Sequence, residues 1–77
     1  MRLEVIDKKQ LNNRRLDEVE LGRYLKSAKA TEVIMRTTYI EAGWHDVEFA
    51  ANRAGYKVCR FINNELNGFK ECYRFSK

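Results

Sequence analysis

Cations interleaved with an aromatic ring are the residues of this chain best suited to a chemistry, and that chemistry is contact with a polyanion that carries bases. In the C-terminal stretch from Tyr56 to Lys77, read as two strands, Lys57, Phe61, Lys70 and Arg74 fall on one face. Lys8, Lys9, Arg14 and Arg15 form a second basic group within KKQLNNRR, a run without an acid. Ammonium and guanidinium groups neutralise phosphates and rings stack on bases, so these eight residues are the candidate set for binding DNA or RNA. The competing reading is a solvated basic face with Phe61 packed under a helix.

Other chemistries have less to stand on. His45 is the single histidine, and its neighbour Asp46 does not orient it, because adjacent residues rarely hydrogen-bond as an acid/base pair. A ribonuclease using His45 with Arg36 or Arg53 would require side chains that only tertiary structure brings together. Cys59 and Cys72 lack CxxC spacing and additional ligands, so no metal site is expected. The four glycines stand at 22, 43, 55 and 68, without a phosphate-cradling pattern, and no cofactor is expected. The expectation is therefore a binding protein and not an enzyme. The alternative partner is a host or regulatory protein, met by a small regulator or inhibitor of the kind phages and mobile elements encode. It would use Tyr39, Trp44 and Phe49 or a free sheet edge, since aromatic side chains dominate interface energies.

At 77 residues the chain has room for one domain, 1–77, with one small core. A hydrophobic content of 44% with nine aromatic residues and no proline describes a folded chain. The net charge of +4 favours an anionic partner if it concentrates on one face. No apolar run approaches the roughly 20 residues needed to cross a bilayer, and MRLEVIDKKQ lacks a signal-peptide core. The expected setting is the cytosol, with reduced thiols and no membrane contact.

The elements that must position these residues follow from periodicity. Residues 1–7 alternate, with Leu3 and Val5 against Arg2, Glu4 and Asp7, and predict a short strand; 8–15 predict a polar loop. A helix starts at Asp17, which can cap it while Glu20 reaches back, with Leu16 and Leu21 as a staple. Its apolar stripe is Val19, Tyr24, Leu25 and Ala28, with Leu21 at the margin, and Gly22 is expected to pack closely against the sheet. Residues 31–40 are β-branched and apolar on both faces, which predicts a central strand covered on both sides. A second helix is expected from His45 or Asp46 to Gly55, burying Val47, Ala50, Ala51 and Ala54.

The terminal hairpin admits two registers. A tight Asn67-Gly68 turn sets Leu66 opposite Phe69 and Glu65 opposite Lys70; a longer loop sets Ile62 opposite Phe69, Arg60 opposite Glu71 and Cys59 opposite Cys72. Both leave Tyr56, Val58, Ile62, Phe69, Tyr73 and Phe75 on the core face. The predicted fold class is α+β, in the order β-α-β-α-β-β with a C-terminal β-hairpin. The rival is a winged-helix-like arrangement in which residues 31–43 are helical.

Overall fold

The computed structural model describes residues 2–63 and 70–77. The order is β-α-β-α-β-β: β1 (Leu3–Val5), α1 (Glu18–Ser27), β2 (Glu32–Arg36), α2 (Trp44–Arg53), β3 (Lys57–Asn63) and β4 (Lys70–Ser76). The four strands form one mixed sheet in the order β1-β2-β4-β3. β1 runs parallel to β2 and the other neighbours are antiparallel. Short 3₁₀ turns at Lys8–Leu11 and Thr37–Tyr39 follow β1 and β2.

Alternation along the strands divides the sheet into two unlike faces. Val33, Met35, Tyr73 and Phe75 belong to a buried cluster with Leu21 and Leu25 of α1 and Val47 and Ala51 of α2. Ile6, Leu11, Leu16 and Ile40 belong to the same cluster. The opposite face has no helix among the described residues, and on it Leu3 and Val5 remain 54% and 52% exposed. β2 is thus a central strand covered on one face only. The both-sided apolar pattern of 31–40 has another cause: the strand stops at Arg36, and the 3₁₀ turn redirects the chain so that Ile40 turns into the core. A helix over 31–43, and with it the winged-helix alternative, is excluded.

α1 begins as its sequence dictates. The Asp17 carboxylate accepts from the Glu20 N–H at 2.8 Å, and the Asp17 N–H donates to the Glu20 carboxylate at 3.4 Å. The buried stripe is centred on Leu21 and Leu25, whereas Val19 is 56% exposed. Gly22 faces Ala50 of α2, not the sheet: a Cβ there would lie 4.0 Å from that of Ala50. α2 starts at Trp44 with Gly43 as its cap, slightly earlier than periodicity suggested, and buries Val47, Ala50 and Ala51. Gly55, at φ 88°, supplies the left-handed residue that ends it.

The hairpin adopts neither expected register. Lys70 pairs with Asn63 and Glu71 with Ile62, midway between the two alternatives. The shift from each is an even number of residues, so the faces keep their identity. Tyr56, Tyr73 and Phe75 are buried as expected; Ile62 is 57% exposed, because it lies near the end of an edge strand beyond the reach of the core. Leu66, Phe69 and the Asn67-Gly68 turn lie outside the described residues. Cys59 stands opposite Arg74 and Cys72 opposite Phe61, so the two thiols are not cross-strand partners and no disulfide joins them.

Candidate nucleic-acid interface

The uncovered sheet face is organised in rows set by register. Leu3, Glu32, Ser76 and Lys57 form the first row; Val5, Ile34, Arg74 and Cys59 the second; Arg36, Cys72 and Phe61 the third. Successive rows lie about 7 Å apart and neighbouring strands about 4.8 Å apart. Lys57, Phe61 and Arg74 therefore share one surface, with Lys70 at the next register position beyond Phe61. Lys57 and Arg74 are exposed and Phe61 is half-buried. Helices pack on the other face, so Phe61 is not a residue lying under a helix.

Arg36 belongs to this surface and was missed as a candidate for it. It stands opposite Cys72 in the third row, and its guanidinium lies over the Tyr39 ring at 5.8 Å. Its Nε is buried without a hydrogen-bond partner among the described residues. The signal was available in the alternation of 31–40, which sets Arg36 with Ile34, away from Val33 and Met35. Cys72 is buried within the third row yet outside the helix-side core. Burial pushes its thiol pKa up, against the lowering effect of nearby Arg36, which keeps it protonated.

The basic loop joins this surface only through its end. Arg15 Nε donates to the Thr38 carbonyl at 3.0 Å, which ties the loop to the turn that carries Tyr39. Its guanidinium also lies 4.0 Å from Glu41. Arg14 is turned away to Glu20 at 2.7 Å, where it reinforces the capped start of α1. Lys9 is exposed beside β1, and Lys8 opens the same 3₁₀ turn. β1 and β3 are opposite edges of the sheet, with about 14 Å between their axes, so Lys57 on β3 stands across the sheet from the strand that the basic loop follows. Among the hairpin cations, Arg74 is held by Glu32 at 2.9 Å.

The aromatic trio Tyr39, Trp44 and Phe49 does not form one patch. Trp44 is half-buried, stacked on Tyr73 at 6.0 Å and covered by the Arg60 guanidinium at 5.0 Å. Phe49 lies about 140° further round α2, is 61% exposed and carries Arg53 over its ring at 5.6 Å. Tyr39, half-buried, packs against the core cluster and meets the Arg36 guanidinium at the end of β2. His45 is exposed in the first turn of α2, whereas Arg53 is in its last turn and Arg36 lies across the sheet. Among the described residues there is no group of metal-ligating side chains, and no helix is long and apolar enough to cross a membrane. Comparison of the chain with protein-family models, with curated proteins and with solved structures found no match.

Proposed function

We propose that this protein is a small, non-enzymatic domain of the cytosol that holds single-stranded DNA or RNA across the uncovered face of its sheet. The observation that carries the reading is the grouping on that face: Phe61 in the row of Arg36, with Arg74 and Lys57 in the two rows beyond. Among the described residues these three cations share the face with one carboxylate, Glu32, so phosphates find net positive charge beside a ring on which a base can stack. The face also favours single strands over duplex. Four strands span about 14 Å between outer axes, before side chains, against a major groove about 12 Å wide. A cytosolic setting suits Cys59, a thiol outside any disulfide and exposed on the binding face.

The test is fluorescence anisotropy with labelled oligo(dT) and oligo(U) of about 12 nucleotides, titrated from roughly 50 to 200 mM salt. With Arg36, Lys57 and Arg74 as the contacts, log K is expected to fall against log salt with a slope of about −2. Absence of binding at the low-salt end, or binding indifferent to salt, would contradict the reading.

A further inference from the structure

A second surface lies on the helices. Along α1, Val19, Gly22, Arg23 and Lys26 recur at helical spacing and form a stripe distinct from the buried Leu21 and Leu25. With Phe49, Ala50 and Arg53 of α2 they line a groove of about 290 Å³ between the two helices. Gly22, without a side chain, and Ala50, with only a methyl group, line it where the two helices approach, a Cβ at Gly22 lying 4.0 Å from that of Ala50. Its walls are Val19 and Phe49, 56% and 61% exposed, two large apolar side chains left in water. Its rim carries Arg23, Lys26 and Arg53 against the single carboxylate of Glu18.

We propose that this groove docks an acidic amphipathic helix of a partner protein. A volume of about 290 Å³ falls just below the range typical of small-molecule pockets and suits a few anchoring side chains. Apolar residues of the incoming helix would sit between Val19 and Phe49, and its carboxylates would meet the three rim cations, the helix-in-groove mode of recognition. Charge selects this occupant over a second copy of the chain. A two-fold interface would set Arg23, Lys26 and Arg53 against their own equivalents. The groove is built on the helices and the proposed nucleic-acid face on the other side of the sheet, so each site can fail without the other.

The test uses the full chain and a labelled helical peptide of alternating Leu and Glu faces, with leucines at i, i+3, i+4 and i+7. Its control is a scrambled peptide of the same composition. Binding of the amphipathic peptide alone is expected, weakened at least about tenfold by Val19→Asp and by Phe49→Asp. Both positions are exposed, so these variants should keep the wild-type circular dichroism, and Phe61→Ala should leave peptide affinity unchanged. Three results would overturn the proposal: equal binding of the scrambled peptide, affinity unmoved by the Val19 and Phe49 variants, or displacement of the peptide by an oligonucleotide through the groove.

Discussion

Arg74 Nη2 lies 2.9 Å from Glu32 Oε2, a diagonal pair across β2 and β4 in the middle of the uncovered face. The hydrogen bond that Arg74 donates to the Glu32 carboxylate raises the guanidinium pKa, which favours its charged form. Glu32 is the acid of this face among the described residues, and in the free protein it occupies the cation that a phosphate would otherwise meet. Glu32→Gln removes the competing charge and keeps a hydrogen-bond acceptor. Oligonucleotide affinity is expected to rise several-fold at low salt, and the salt slope to steepen by up to about one. Anisotropy titrations of the two proteins side by side measure both quantities.

Stability should fall in alkali. Burial, helped by Glu4, raises the pKa of Tyr56 and of Tyr24; burial also raises Tyr73 and Cys72, with Arg60 and Arg36 respectively opposing it. In each case the fold favours the protonated form, and the unfolded chain releases its proton first. Their stabilisation is therefore complete below the ordinary values, 9.0 for the thiol and 10.0 for tyrosine, and is lost as pH rises through the higher folded values. The melting temperature, followed by circular dichroism, should be insensitive to these groups near neutrality and decline above about pH 9. A melting temperature that climbs over that range would contradict the assignment.

Tyr56 ties two parts of the chain together. Its hydroxyl donates to the Ala30 carbonyl at 2.6 Å in a buried setting, holding the start of the hairpin to the link between α1 and β2. Tyr56→Phe preserves the ring and leaves that carbonyl without its partner, at a cost of about 1–3 kcal/mol. Urea denaturation would detect this as a lower midpoint with an unchanged slope.

Packing and capping should differ in weight. Phe75→Ala empties a fully buried site beneath both helices and is expected to cost about 3–5 kcal/mol, a large part of what a chain this size possesses. Asp17→Ala removes the cap of α1 for about 1 kcal/mol. Chemical denaturation should rank the two in that order.

The elements whose rules are local were legible in the sequence. Asp17 and Glu20 announce a helix start because the capping box is satisfied within one turn, and Gly55 announces a stop because it alone tolerates the left-handed turn cheaply. The period of two in Tyr73 and Phe75 against Cys72 and Arg74 named the two hairpin faces correctly. What escaped depends on partners distant in sequence. Val19 satisfies helical periodicity as well as Leu21 does, and only the placement of α2 decides which is buried. The register of β3 on β4 left Ile62 in water. Leu3 and Val5 are the apolar side of the β1 alternation, yet the helices settle on the other face and it is Ile6 that is buried. Alternation placed Lys57, Phe61 and Arg74 on one face of the sheet, while the diversion of Arg14 to Glu20 and of Arg74 to Glu32 depended on contacts no local pattern encodes.

The most direct measurement of the central claim is a map of oligonucleotide contacts by amide chemical-shift perturbation, with Phe61→Ala in parallel. On adding oligo(dT), Lys57, Cys59, Phe61, Arg74 and Arg36 should shift, α1 and α2 should stay still, and Phe61→Ala should weaken binding by about 1–3 kcal/mol while the fold is kept. Shifts confined to the helices, or affinity indifferent to the loss of the Phe61 ring, would show that the uncovered face is not where this protein meets nucleic acid.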